Sequence, residues 1–211
     1  MSHIRRYHFV SQQLRGLRSV LREWIRLNRI YGETLSWKDC AWWANERAST
    51  GMLAAAAWKC GGVALEEYST KKTKQKKHRT GRCDLFFAFR KKHFACEVKQ
   101  IFPRLKAGQT NNIYKMKEQF DSACDDARNL FPEEGRRLGI CFVTPRFSRS
   151  QIEHIDDCLK DYLDCFLQNR EKLDFDAIAW FFPKEGGKME WPANSKTYPG
   201  VIVLIREIFR S

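Results

Sequence analysis

The hydrophobic pattern of the chain alternates between helical and strand periods, and it predicts an α/β architecture. Apolar residues recur at steps of three and four from Phe9 to Tyr31 and from Asn111 to Phe131, which is the period of an amphipathic helix. Short apolar runs predict strands, because each run is too brief for a typical helix. These runs lie at 63–68, 81–89, 93–100, 138–143, 175–182 and 201–205.

Two capping signals predict further helices. Ser36, with Asp39 three positions later, predicts the start of a helix that extends to about Trp58; Ser150 and Glu153 predict a second start, for a helix that ends near Arg170. The whole order predicts a mixed central β-sheet flanked by helices. The 211 residues provide for one substantial domain, 36–211, preceded by an N-terminal basic amphipathic helical extension, 1–35.

The net charge changes this picture of an ordinary α/β domain. Lys and Arg number 38 against 25 Asp and Glu, which gives a formal charge of +13. An excess of this size is most often used to attract a polyanion, so nucleic acid is the first candidate partner and an anionic membrane surface the second. Because no run approaches the ~18 consecutive apolar residues of a membrane helix, and polar residues interrupt any signal-peptide core, we expect a cytoplasmic protein.

Basic residues are concentrated in two segments. One is a ridge along the N-terminal helix, which consists of Arg15, Arg18, Arg22, Arg26 and Arg29. The ridge is either a solvated helix face or a grip for phosphates, with a membrane-surface helix as a third option. The other segment, 70–80, predicts a mobile cationic loop that leads into a strand; its basic residues are Lys71, Lys72, Lys74, Lys76, Lys77 and Arg79. Together with Arg82, at the start of that strand, they are candidate nucleic-acid contacts.

The eight cysteines contain no Cys-x-x-Cys pair, and most lie within apolar patterns. A free cysteine in such a position behaves as a small hydrophobic residue. We therefore interpret them as reduced core residues and not as disulfide or zinc sites.

The runs at 81–89 and 93–100 predict a hairpin that brings charged side chains together. Side chains alternate along a strand, so Glu97 and Lys99 lie on one face while Cys96 and Val98 lie on the other. If the chain reverses near Lys91, Asp84 meets Glu97 and Lys99 at one end of the hairpin. The arrangement is either an ordinary salt bridge or the core of a catalytic site.

The order of elements and these residues resemble the restriction-endonuclease-like, or PD-(D/E)XK, nuclease superfamily. Asp84 matches the first acid of its motif, Glu97-Val98-Lys99 matches the (D/E)XK tripeptide, and Glu46 in the preceding helix matches the additional acid of many members. The resemblance covers about 36–145. Cys83 stands where the family name places proline, at a position that many members vary.

Phosphodiester hydrolysis would use these residues around a divalent cation. Two neighbouring carboxylates repel each other, and a divalent cation between them would relieve that repulsion. Their hard oxygen atoms suit Mg²⁺ or Mn²⁺, and such an ion lowers the pKa of a water that it binds. Asp84 and Glu97 would hold the metal, and Lys99 would orient or deprotonate the water or stabilise developing charge. The resemblance adds the Val98 backbone carbonyl and Glu46 as ligands, and Gln100 follows as a candidate phosphate contact.

The resemblance therefore implies a magnesium-dependent nuclease acting on nucleic acid, with DNA expected as the substrate and RNA as an open alternative. A second hypothesis is a non-catalytic nucleic-acid-binding subunit that retains the nuclease fold. Many enzymes of this fold cut as dimers, so a homodimer or a larger protein complex is an open expectation.

Overall fold

The computed structural model describes residues 6–74, 77–104, 111–131, 135–147, 155–188, 190–191 and 196–209. The strands of this part of the chain are β1 (Arg6–Val10), β2 (Val63–Lys74), β3 (Lys77–Phe89), β4 (Lys92–Ile101), β5 (Arg136–Val143), β6 (Ala177–Phe181), β7 (Glu190–Trp191), β8 (Lys196–Thr197) and β9 (Val201–Ile208). The helices are α1 (Arg18–Thr34), α2 (Ala41–Ala44), α3 (Glu46–Lys59), α4 (Asn111–Arg128), α5 (Ile155–Gln168) and α6 (Arg170–Leu173).

Seven strands form one mixed sheet in the order β1-β6-β9-β5-β4-β3-β2, and β7 and β8 pair separately. Strands β2, β3 and β4 form an antiparallel meander. The chain then crosses through α4 and returns as β5, parallel to β4, as a parallel pair requires. Strand β9 is antiparallel to both β5 and β6. The predicted mixed sheet with flanking helices is confirmed.

The middle of the sheet is buried on both faces, which explains why β5 is wholly apolar from Leu138 to Val143. On one face, Phe142 stacks on Trp24 of α1, with ring centroids 6.3 Å apart. On the other face α4 lies so close to β5 that a Cβ at Gly139 would stand 2.5 Å from the Cys124 Sγ. The helix that follows β4 is therefore fixed against the middle of the sheet.

The N-terminal segment differs from its prediction. The predicted helix from Phe9 is wrong at its start, because residues 6–10 form the edge strand β1 and the α-helix begins only at Arg18. Backbone pairing of Phe9 with Ile178 and of Val10 with Ala177 joins β1 to β6. Such a partner lies far away in sequence, so the local period of three and four could not indicate it.

The predicted helix start at Ser36 is also wrong. Ser36 and Trp37 have positive φ angles of 51° and 57°, and the Trp37 ring packs against the backbone of Gly32. An extended residue, Asn45, separates α2 from α3, and its side-chain oxygen accepts a hydrogen bond from the Ala48 N–H at 2.9 Å. The true cap therefore places Glu46 in the first turn of α3.

The predicted mobile cationic loop is wrong as well, since the segment consists of paired strands. The pairs Lys71 with Thr80 and Lys72 with Arg79 continue the β2–β3 ladder, which extends to Lys74 and Lys77. We call residues 70–74 and 77–81 the lysine ribbon. Composition predicted a loop because charged side chains are rarely buried, but the backbone groups of such a segment can still be satisfied by pairing with a neighbouring strand.

The remaining elements agree with their predictions at most ends. Helix α4 and strands β5, β6 and β9 lie where the pattern placed them. The capping residues Ser150 and Glu153 lie outside the described residues, and the helix described after them is α5, followed by α6.

Candidate active site

Strand β3 changes its hydrogen-bonding pattern at Asp84. Its pairing with β4 extends from Phe89 only to Leu85, which lies opposite Cys96. At the next position the Asp84 side chain takes over, since its Oδ2 accepts a hydrogen bond from the Val98 N–H at 2.7 Å. On the neighbouring strand β2, Glu67 lies opposite Asp84, between the residues that pair with Leu85 and Cys83. The φ angle of Glu67 is 53°. The local break in the ladder turns a carboxylate towards β4.

Cys83, which precedes Asp84 in β3, also forms side-chain contacts at this break in the ladder. It is buried, and its Sγ lies 3.3 Å from the Cys96 carbonyl oxygen and 3.4 Å from that of Leu85. Burial raises the pKa of the Cys83 thiol to about 11, so it stays protonated and can donate to these carbonyls at neutral pH. Cys83 thus contributes a side-chain hydrogen bond at the break in β3.

Glu97 is a buried carboxylate paired with the lysine ribbon. Only 3% of the residue is exposed, and the Lys72 Nζ lies 2.7 Å from its Oε1. The pKa of Glu97 is raised to about 7; burial is the largest cause and the charge of Asp84 adds to it, while the hydrogen bond and charge of Lys72 oppose them. The carboxyl group therefore changes charge near neutral pH.

Glu46 reaches the same place from α3. Burial raises its pKa, followed by the negative charge of Asp84, while Lys99 and a hydrogen bond from the Gln100 backbone N–H lower it. Because burial also raises the pKa of Asp84, all three acids hold their protons more tightly than free carboxyl groups do. Asp84 has one acidic neighbour on α3 and another on β4.

Lys99 lies among these acids and also contacts α4. Its Nζ is 2.9 Å from the Oδ2 of Asp126. Burial lowers the pKa of Lys99, but the hydrogen bond and charge of Asp126, together with the charges of Asp84 and Glu46, raise it above its usual value. Lys99 is consequently a charged ammonium at neutral pH. This state favours charge stabilisation and orientation of water over proton abstraction.

The donor atoms fit a hard divalent cation in kind. The pKa values of Glu46, Asp84 and Glu97 are all raised, the charge of Asp84 contributes to the rise at the other two, and a cation would relieve this repulsion. Among the described residues, however, no group of three or more Asp, Glu, His or Cys side chains is positioned to hold a metal ion. The Lys72 ammonium already pairs with the Glu97 carboxylate, so binding of a metal ion by Glu97 would require this ion pair to open.

The arginine ridge lies on the outer side of α1 and the turn before it. Arg15, Arg18, Arg22 and Arg26 are exposed, and Arg29 is half-buried. Arg26 pairs with Glu23 and Arg29 with Glu33 along the helix. A groove of about 460 Å³ runs beside the ridge. Its lining consists of Ser19, Arg22, Glu23, Ile25, Arg26, Arg29 and Cys60.

The other predicted phosphate contacts have varied surroundings. Lys71 lies 6.0 Å from the centre of the Phe131 ring, and Arg82 pairs with Glu67 at 2.9 Å. The Gln100 side chain donates to the Trp42 carbonyl oxygen at 2.7 Å and to the Thr144 hydroxyl at 3.2 Å. It thereby ties α2 to the sheet. Lys76 and the side chains of Lys74, Lys77 and Arg79 lie outside the described residues.

Two residues that form ion pairs with the site were not predicted from the sequence. Asp126 on α4 pairs with Lys99, and Lys72, assigned only to phosphate binding, pairs with Glu97. Asp126 lies next to the buried face of α4, between Cys124 and Ala127. That position is the single signal that could have pointed to it, because the contact itself depends on how α4 returns across β4.

A scan against protein-family models and searches of curated proteins and of solved structures found no match for this chain. In the described part of the chain, none of the helices has the length and apolar character needed to cross a membrane.

The raised pKa of Glu97 predicts a pH-dependent cost to stability. The folded protein binds the Glu97 proton more tightly than the unfolded chain does. The protonated carboxyl group therefore stabilises the folded state fully below pH 4.5, and this stabilisation is lost as the pH rises to about 7. Glu97→Gln avoids that loss. Its free energy of unfolding relative to wild type should increase across this window, by at most about 3 kcal/mol, and stay level above it.

Urea unfolding at a series of pH values measures this difference. Glu118→Gln, at an exposed position on α4, serves as the matched control. A Glu97→Gln difference that does not change with pH would contradict the assigned cause, which is burial of the Glu97 charge.

Proposed function

We propose that this protein is a metal-dependent nuclease with a restriction-endonuclease-like core that hydrolyses phosphodiester bonds in DNA. One observation carries the proposal: the Asp84 carboxylate stands at a break in β3, bonded to the Val98 N–H, and its charge acts on Glu46, Glu97 and Lys99. The antiparallel meander followed by a parallel strand after α4 supports the same assignment.

Each side chain has a separate task in this proposal. Asp84, Glu97 and Glu46 would hold Mg²⁺ or Mn²⁺, together with the Val98 carbonyl. The ion would lower the pKa of a water and neutralise charge on the phosphate. The Lys99 ammonium, oriented by Asp126, would stabilise the negative charge that develops on the phosphate oxygens. The buried surroundings would strengthen these interactions, because water screens them less there.

The distribution of positive charge supports a polynucleotide as the substrate. The arginine ridge is exposed along α1, and the charges of Arg18 and Arg22, after burial, lower the pKa of His8 on β1. A protein of net charge +13 with such a surface would bind phosphates and release counterions, so its affinity should fall steeply with salt. This chemistry suits DNA and RNA alike, and DNA rests on the family resemblance.

A cleavage assay tests the proposal. The full chain is incubated with plasmid DNA, single-stranded DNA and RNA in Mg²⁺, Mn²⁺ or EDTA. We expect metal-dependent cleavage that Lys99→Ala reduces about 10²-fold or more, because one stabilising charge is lost. Lys117→Ala on the same helix as Asp126 is the control, since that lysine pairs with Asp121 and is half-exposed. Equal cleavage by wild type and Lys99→Ala would show that the assigned site is wrong.

A non-catalytic nucleic-acid-binding subunit is the second candidate. It is favoured by Lys72, which already neutralises Glu97, and by the absence of a group of acids positioned to hold a metal among the described residues. Binding of DNA that survives EDTA, with no cleavage in any metal, would select this function. Activity that appears only in a homodimer or after addition of a partner protein would place the chain in a larger assembly.

A further inference from the structure

The lysine ribbon bends over the end of α4 and is held there by several contacts. Thr70 is buried, and the backbone of Lys72 forms a β-bridge with Leu130, just after α4. The Lys71 ammonium lies over the Phe131 ring. The ribbon is therefore fixed near the helix that also carries Asp126, and not directed freely into solvent.

This position sends one lysine inwards. The aliphatic part of Lys72 passes across Gly81, where an added Cβ would stand 2.8 Å from its Cδ and 3.0 Å from its Cγ. The Lys72 side chain is 18% exposed and the Glu97 side chain 4%, and their charged atoms are 2.7 Å apart. The absence of a side chain at position 81 leaves room for the lysine to lie flat towards Glu97.

The contact has a consequence for any cation that Glu97 binds. A lysine ammonium and a divalent ion repel each other, so they cannot both lie against one buried carboxylate without a large cost. If the ammonium leaves alone, Glu97 becomes a buried charge without its partner, which is unfavourable. Departure of Lys72 and arrival of a divalent cation should therefore occur together.

A polynucleotide bound at the lysine ribbon would give Lys72 another partner, a phosphate. Lys71 and Arg82 belong to the same hairpin and are exposed, so a polyanion that approaches them meets Lys72 next. A phosphate competes well for an ammonium, since it is a permanent anion at neutral pH.

We propose that Lys72 closes Glu97 in the free protein and moves to a phosphate when a polynucleotide binds, so that nucleic acid and divalent cation each strengthen binding of the other. The inference rests on the proposed nuclease function, because it assigns Glu97 to the metal. Coupling of this kind is reciprocal: whatever factor nucleic acid adds to metal affinity, the metal adds to nucleic-acid affinity.

Calorimetric titration of Mg²⁺ into the full chain tests the coupling without reliance on activity. The titration is made at about pH 9, where Glu97, with a pKa of about 7, is ionised. It is run with and without a saturating nuclease-resistant phosphorothioate duplex, whose own Mg²⁺ binding is subtracted. We compare wild type, Lys72→Met, Lys72→Arg and the matched control Lys117→Met, which removes a lysine charge that pairs with Asp121 on α4.

Without DNA, Lys72→Met should bind Mg²⁺ about tenfold more tightly than wild type, and DNA should add less to its affinity, whereas Lys117→Met and Lys72→Arg should resemble wild type. Equal Mg²⁺ affinities for Lys72→Met and Lys117→Met would overturn the inference and leave the metal site in place. Absence of Mg²⁺ binding in every variant would overturn both the inference and the proposed function.

Discussion

Asp84→Asn should lower metal-dependent cleavage by about 10²- to 10³-fold while the protein stays folded. The Asn side-chain oxygen can still accept the hydrogen bond from the Val98 N–H, so the local structure of β3 and β4 is retained. What is lost is the negative charge of Asp84, which acts on Glu46 and Glu97 and on which the proposed cation binding would depend. Initial rates on plasmid DNA in Mg²⁺, with circular dichroism as the check on folding, measure the effect.

Asp125→Asn is the matched control for this substitution. Asp125 is exposed on α4 and pairs with Arg128, away from the acids at β3. Its variant should cleave as wild type does. If Asp84→Asn kept full activity, Asp84 would serve only to complete the strand ladder, and the metal site would have to be sought elsewhere.

Phe142→Ala should reduce the free energy of unfolding by about 3–5 kcal/mol. Phe142 is fully buried in the middle of β5, where its ring stacks on Trp24 and helps to attach α1 to the sheet. Removing the ring forfeits its transfer free energy and leaves a cavity between a strand and a helix that are held by many other contacts. Urea unfolding followed by tryptophan fluorescence measures the loss.

Phe209→Ala is the same substitution at a site that is 64% exposed, and it should change stability by less than about 0.5 kcal/mol. A loss at Phe142 as small as that at Phe209 would show that the two helical layers do not depend on this ring. Helix α1 packs beside α3, which carries Glu46. If Phe142→Ala loses stability but still cleaves DNA, the contribution of this ring to stability is separate from activity.

The candidate site illustrates how a weak motif becomes a three-dimensional arrangement. Its charged groups come from α3, β3, β4, α4 and the lysine ribbon, and only the Glu97 to Lys99 segment is continuous in sequence. Strand alternation predicted that Glu97 and Lys99 share a face. It could not predict their partners, because Lys72 and Asp126 arrive through the bend of a hairpin and the return of a crossover helix.

The elements with strong internal periodicity were the ones that sequence predicted well. Helix α4 and strands β5 and β9 have apolar patterns whose burial decides their structure, and all three were placed correctly. Strand β1 and the lysine ribbon were not, because their structure depends on pairing with residues that local patterns do not contain. The cap at Asn45 was missed because Trp37 packs on α1 and forces a positive φ where a helix start was expected.

The sequence by itself determined the α/β class, the two-sided burial of β5, the excess of positive charge and the presence of Asp84, Glu97 and Lys99 on neighbouring strands. These follow from side-chain period and composition, which are local properties. Only the tertiary structure decided which charges meet: Glu46 beside Asp84, Asp126 on Lys99 and Lys72 on Glu97. The physical reason is that ion pairs act over a few ångströms, whereas the residues that form them are brought together by the packing of whole elements.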